Sequence, residues 1–133
     1  MPNSWSNWSG FVQAEPKLIA TPADAGELVD LVRTAPRPLR VAGAGHSFTP
    51  LVKSEGTIVS LEKIEGLVSH DAASSRARVR AGTRLGALMH LLQGIGQGLP
   101  NMGDIDRQAI GGALGTATHG SGPTLGAYHT QLE

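Results

Sequence analysis

The chain has no cysteine. Disulfides, iron–sulfur ligation and a thiol nucleophile are therefore excluded within these residues. It has no excess of either charge, with eleven basic and eleven acidic residues. That balance argues against a nucleic-acid surface built on phosphate attraction. No stretch is apolar for long enough to span a membrane. The first residues, Met1-Pro2-Asn3-Ser4-Trp5, carry neither a basic region nor an apolar run. No signal peptide is read there, and a cytoplasmic location is the default expectation.

What the chain does have is glycine. Its 133 residues, the size of one ordinary domain, include 18 glycines. Much of this glycine falls in residues 43–45 and 94–126, so it is positional rather than low-complexity. Residues 39–50 organise the first cluster. They open as the apolar strand Leu39-Arg40-Val41-Ala42 and break into Gly43-Ala44-Gly45-His46-Ser47-Phe48. Glycine permits positive φ and close backbone approach to a ligand, and successive N–H groups in such a turn suit phosphate. A histidine inside the turn can be a ligand, a base or a nucleophile. A glycine pair after a strand is also common in ordinary tight turns. The better-known nucleotide motifs do not match. Phe48 stands at the third glycine position of a Rossmann turn, no Gly-Lys-Ser/Thr is present, and His46-Ser47-Phe48 is not a nucleophile elbow.

Along the chain, Asn7-Trp8-Ser9-Gly10 reads as a turn, with Trp5, Trp8 and Phe11 anchoring the N-terminus by plain packing. Residues 17–20 read as a strand. A helix follows, with Thr21 as cap, Pro22 in the first turn and Asp24 complementing the dipole. Leu28, Val29, Leu31 and Val32 form its apolar face, and Pro36 and Pro38 end it. Residues 57–61 read as a strand. Residues 66–70 and 76–81 read as a hairpin, with Arg76, Arg78 and Arg80 on a solvated face. Thr83 starts a second helix, with Leu85, Leu88, Met89, Leu91 and Leu92 apolar and Gly94, Gly96 and Gly98 at its end. His90 lies on its surface.

The second informative stretch is residues 99–122. From Gly111 to Gly122 it is made of small residues, hydroxyls and His119, apart from Leu114. Such a run suits backbone lying against a flat or polyanionic ligand, although a flexible loop has the same composition. Gly111-Gly112 is expected to open a short helix whose N-terminus offers N–H donors to phosphate. His46, His119 and His129 match no familiar metal spacing, and no carboxylate is placed with them.

Together, Val41-Ala42-Gly43-Ala44-Gly45-His46-Ser47-Phe48-Thr49 and the later Leu99-Pro100-Asn101-Met102-Gly103-Asp104-Ile105-Asp106 and Gly115-Thr116-Ala117-Thr118-His119-Gly120-Ser121-Gly122 resemble the FAD-binding domain of the vanillyl-alcohol oxidase flavoproteins. The likeness is nearest to the sugar-1,4-lactone oxidases of D-arabinono and L-gulono type, with the alditol oxidases close behind. It runs from about Trp5 to Gly126 and includes Asn7-Trp8-Ser9-Gly10 and Ala81-Gly82-Thr83-Arg84-Leu85.

The resemblance implies FAD as cofactor. It implies that Val41, Ala42, Gly43, Ala44, Gly45 and Ser47 wrap the pyrophosphate, and that His46 is joined covalently to the flavin ring methyl. Asp104, Ala109 and Gly112 fall at cofactor contacts, and Thr116, Ala117, Thr118 and His119 lie along the pyrophosphate and flavin. Alditol oxidases usually carry serine where Asp104 stands, which favours the lactone type. The fold so implied is α+β, the N-terminal portion of a PCMH-type FAD-binding domain with small strand groups and flanking helices, truncated across residues 1–133. The substrate domain is absent, and no substrate-facing catalytic residue is named. The expected partner of the full-length protein is a small sugar lactone or polyol, with no nucleic acid and no membrane. Self-association of the truncated domain is the contrasting expectation, since uncovered core drives association.

Overall fold

The computed structural model describes residues 3–133, which fall into two compact units, one ending at Ile64 and the other spanning Glu65–Glu133. The first unit begins with two short antiparallel strands, β1 (Trp5–Ser6) and β2 (Gln13–Ala14). A parallel sheet follows, made of β3 (Leu18–Ala20), β4 (Leu39–Ala42) and β5 (Thr57–Ser60), with helix α1 (Ala25–Thr34) between β3 and β4. The expected strand, helix, strand order is present, but β3 and β4 are not neighbours. β5 lies between them and pairs with both.

The residues of β5 explain its central place. Thr57, Ile58 and Val59 form a β-branched run, at most 1 % exposed, as expected of a parallel strand covered on both faces. Its start is fastened to the preceding prolines. Thr57 N donates to Pro38 O at 2.9 Å, and its hydroxyl donates to Pro36 O at 2.8 Å. Ser54 Oγ donates to Pro38 O at 2.6 Å and accepts from Gly56 N. A Cβ on Gly56 would lie 2.5 Å from the carbonyl oxygens of Arg37 and Pro38, so only glycine fits this crossing.

Two expectations for the first unit are corrected. The cap of α1 is Asp24, not Thr21: Asp24 Oδ1 accepts from Glu27 N at 2.9 Å, and Glu27 Oε2 reaches back to Ala23 N at 2.8 Å. This is close to a capping box. The apolar stripe of α1 is only half covered. Leu28 and Leu31 are half-buried, whereas Val29 and Val32 are exposed. The stripe is wider than the surface that meets it.

The second unit opens with the expected hairpin, β6 (Leu67–Asp71) paired to β7 (Arg76–Val79). Arg76 and Arg78 are exposed while Ala77 and Val79 pack inward. At the turn, Asp71 accepts from the Ser74 hydroxyl and from Ala73 N. Those bonds, the Ser74 hydroxyl first, hold its carboxyl below the ordinary carboxylate range. The turn therefore gains from ionised Asp71 above the ordinary value and loses that gain as pH falls through the lowered one.

Helix α2 (Leu85–Gly94) supplies Leu85, Leu88 and Leu92 to a core completed by Ile110, Ala113 and Tyr128. It starts at Leu85, not at Thr83. Thr83 is buried and acts as a latch: its hydroxyl donates to Arg80 O at 2.6 Å and accepts from Gly66 N at 2.9 Å. Gly96, at φ +71°, turns the chain out of α2, and Gln97 N closes on Leu92 O. Helix α3 (Ile110–Gly115) and a 3₁₀ turn (Tyr128–Gln131) complete the unit. No described helix is long and apolar enough to cross a membrane.

These burials set a contrast between the two helices. Leu88→Ala is expected to cost about 2–5 kcal/mol by opening a core cavity. Val29→Ala is expected to stay within about 0.5 kcal/mol. Denaturant unfolding of both variants checks this; comparable losses would place Val29 in a core.

Candidate functional site

The glycine turn after β4 is fixed by the N-terminal turn of the same unit. Three successive carbonyls are held from residues 7 and 8. Trp8 N donates to Gly45 O at 3.1 Å, Trp8 Nε1 to His46 O at 3.2 Å, and Asn7 Nδ2 to Ser47 O at 3.1 Å. Asn7 is buried, and its Oδ1 accepts from Val12 N at 3.0 Å and from Ser9 Oγ at 3.2 Å. Gly45 has φ +69°, and a Cβ there would stand 3.4 Å from Asn7 Cα. The positive φ calls for glycine, whereas the space would accept a Cβ at ordinary contact distance. Among the described residues, the N–H groups of residues 44–48 donate to no protein acceptor.

His46 is half-buried. Its imidazole is stacked on the Trp8 indole, with centroids 5.3 Å apart and planes inclined by 22°. Phe48 meets Trp8 edge-on, with ring centroids 5.8 Å apart and planes inclined by 72°. Here the packing expectation is corrected. Trp5 does join the core formed by Ala14, Ala42 and Ile58, but Trp8 is 58 % exposed and Phe11 81 % exposed. Trp8 stays at the surface because its polar edge is bonded to the glycine turn. Val41 is exposed, whereas the Ala42 side chain lies in the core, so Ala42 has only backbone to offer a ligand.

The second stretch lies within the other unit and is organised by residues that the sequence did not single out. Tyr128 N donates to Thr118 O at 2.9 Å, and Tyr128 Oη accepts from Gly103 N at 3.3 Å. Asn101 Nδ2 donates to Gly126 O and Gln131 Nε2 to Asn101 O. Gln108 Nε2 donates to Thr118 Oγ1 at 2.9 Å, and the Thr116 and Thr118 hydroxyls are 3.3 Å apart. His119 Nδ1 lies 2.8 Å from Gly120 O. Asp104 is exposed, and the Ala109 side chain is buried. The one available signal was that Tyr128 is the chain's single tyrosine.

The helix N-terminus expected to offer donors to phosphate is largely used within its own unit. α3 begins at Ile110, and its first donors are spent inside the unit: Ile110 N bonds Thr83 O at 2.8 Å and Gly111 N bonds Ala81 O at 3.0 Å. The start of α2 is closed in the same way, with Leu85 N on Gln108 O and Gly86 N on Asp106 O. Gly112 remains open, with nothing within 4 Å of a Cβ placed there. α3 ends in a Schellman motif, Thr118 N to Ala113 O and Ala117 N to Leu114 O. Alanine stands at the left-handed position, with φ +52° at Ala117.

A family model described as an FAD binding domain matches residues 16–132. The chain belongs to this FAD-binding domain family. Its resemblance to the vanillyl-alcohol oxidase flavoproteins holds. An L-gulono-1,4-lactone dehydrogenase of Mycobacterium tuberculosis is 36 % identical over 89 % of this chain and 28 % of that protein. A D-arabinono-1,4-lactone oxidase of Eremothecium gossypii is 31 % identical over 96 % of this chain and 25 % of that protein. An alditol oxidase of a Streptomyces species is 30 % identical over 95 % and 31 %. A cholesterol oxidase from B. sterolicum superposes with a TM-score of 0.69 at 23 % identity, over 91 % of this chain and 24 % of that one. At this identity the likeness shows the fold, which is the α+β arrangement of the PCMH-type FAD domain. The chain spans about a quarter to a third of the curated relatives it matches.

The strain at Ala117 yields a prediction. A non-glycine residue in the left-handed region costs about 1–2 kcal/mol, and glycine returns about 0.5–1 kcal/mol of that through unfolded-state entropy. Ala117→Gly is therefore expected to stabilise the second unit by about 0.5–1 kcal/mol. A lower denaturant midpoint for the variant would remove the strain argument.

Proposed function

We propose that this chain is the cofactor-holding part of a flavin-dependent oxidoreductase acting on a sugar lactone of the D-arabinono or L-gulono-1,4-lactone type. The observation that carries the cofactor half is the glycine turn. Its carbonyls are held from Asn7 and Trp8, and the N–H groups of residues 44–48 are left without protein acceptors among the described residues. Such a row of donors fits a diphosphate. The substrate half is supported by the lactone-oxidising relatives and by Asp104, where the alditol type usually has serine.

In this reading Val41, Ala42, Gly43, Ala44, Gly45 and Ser47 wrap the diphosphate, with the N–H groups of residues 44, 45 and 47 as its donors. His46 is the covalent attachment point at the flavin ring methyl. Asp104, Ala109, Gly112, Thr116, Ala117, Thr118 and His119 are assigned to the same cofactor. In the second segment the hydroxyls of Thr116 and Thr118 supply side-chain groups, while Ala109, Gly112 and Ala117 have only backbone to offer. The Thr116 and Thr118 hydroxyls and the Gln108 amide already form one network. When bound, FAD supplies a two-electron acceptor for a hydride from the substrate carbon, and the protein positions it. The chain alone is not expected to turn over substrate. The alditol-type relative keeps polyol oxidation as the second reading.

Two measurements test this. The chain produced with FAD present should carry an excess of one FAD in its intact mass after denaturation, and His46→Ala should lose that excess. Flavin still attached in the variant would overturn the His46 assignment, and colourless wild-type protein of oligomeric mass would favour a self-associating fragment instead. Hydrogen exchange with and without FAD should show slowing both at residues 44–48 and at residues 116–119. Protection confined to one segment would overturn the joint assignment.

A further inference from the structure

The geometry points to Trp8 as the positioning residue for His46. This rests on the reading of His46 as the flavin attachment point and adds a residue to it. A half-buried imidazole on a glycine turn keeps χ freedom and a pliable backbone unless something holds it, so by itself it is a poorly aimed group. Trp8 removes both freedoms. Its main-chain N–H holds Gly45 O at 3.1 Å, and its indole N–H holds His46 O at 3.2 Å. Its ring lies against the imidazole at 5.3 Å and 22°. One residue thus fixes the peptide on either side of the His46 backbone and one face of its side chain. Phe48 packs edge-on to Trp8 with ring centroids 5.8 Å apart. Trp8 is 58 % exposed despite its size. An indole left in water while its polar edge and one face are engaged by a single neighbour is serving that neighbour rather than the core.

The inference separates two contributions. The indole N–H acts on the backbone and is lost in Trp8→Phe. The stack acts on the imidazole and survives in Trp8→Phe but not in Trp8→Ala. Because Trp8 stands largely in solvent, neither variant is expected to unfold the chain.

The test uses the whole chain in two arms. In the first, without flavin, proton NMR follows the His46 ring signals. Stacking on an indole shifts them upfield, Trp8→Ala should return them to the position of a free histidine, and Trp8→Phe should retain most of the shift. Backbone order parameters at residues 45–47 should fall in both variants, because the indole bond to His46 O is lost in each. In the second arm, FAD retained through denaturation is followed over time. Trp8→Ala should slow its appearance on the order of 10- to 100-fold, the cost of a misaimed reacting group, and Trp8→Phe should recover most of that loss. Unchanged His46 signals in Trp8→Ala, or attachment at the wild-type rate with those signals moved, would overturn the role of Trp8. If the wild-type chain attaches no flavin, the attachment reading fails, and the NMR arm still decides whether Trp8 orders His46.

Discussion

The candidate site depends on three hydrogen bonds from residues 7 and 8 to the carbonyls of residues 45, 46 and 47. A glycine turn has many conformations of similar energy, and ordering one costs about 1–2 kcal/mol per residue. Pinning successive carbonyls offsets that cost and leaves the turn's N–H groups for a ligand. The pin is itself well held. Asn7 is buried and uses both ends of its amide, and its N–H bonds Val12 O at 2.9 Å. The two-residue strands β1 and β2 are too short to be stable elements by themselves. Their structural value is that they carry Asn7 and Trp8 against the turn.

The two glycine-rich stretches use glycine for different physical reasons. Gly45 supplies a left-handed backbone. In the second unit several glycines permit close packing. A Cβ on Gly103 would come within 2.9 Å of Thr118 Cγ2, and one on Gly120 within 2.6 Å of Asn101 Oδ1. Segments 101–103 and 118–120 lie backbone against side chain, with Tyr128 joining both. Gly112 and Gly115 crowd nothing. Composition alone cannot separate these cases, because a glycine needed for φ, one needed for space and one facing open space look alike in a sequence.

What was legible followed periodicity. The Thr57-Ile58-Val59 run, the alternation in β7 and the leucines of α2 are signals that burial enforces. What was misread turned on competing local chemistry. Thr21 and Asp24 can both cap, and the choice was decided by Glu27, three residues after Asp24, whose carboxylate reaches back to Ala23 N. Thr83 looked like a cap and proved to be a buried latch, since its partners at residues 66 and 80 come from the preceding hairpin and its flanks. The helix at Gly111-Gly112 is present, but its first two N–H groups, those of Ile110 and Gly111, are already bonded. Their acceptors, Thr83 O and Ala81 O, lie far off in sequence, and nothing local announces them.

Some local choices depart from ordinary folding rules. Trp8 and Phe48 are large and exposed, and Ala117 sits in a backbone region that disfavours it. Phe11 is exposed as well, and Ser75 has φ +55°. A sequence selected for stability alone would place glycine at residue 117 and a polar side chain at residue 48. Misfit by itself marks no site, since Phe11 and Ser75 carry no proposed role. At Trp8 a second observation joins it: its main chain and its indole N–H hold the carbonyls of residues 45 and 46, and its ring stacks on His46. Exposure gains its meaning there from the bonds around it, without appeal to any relative.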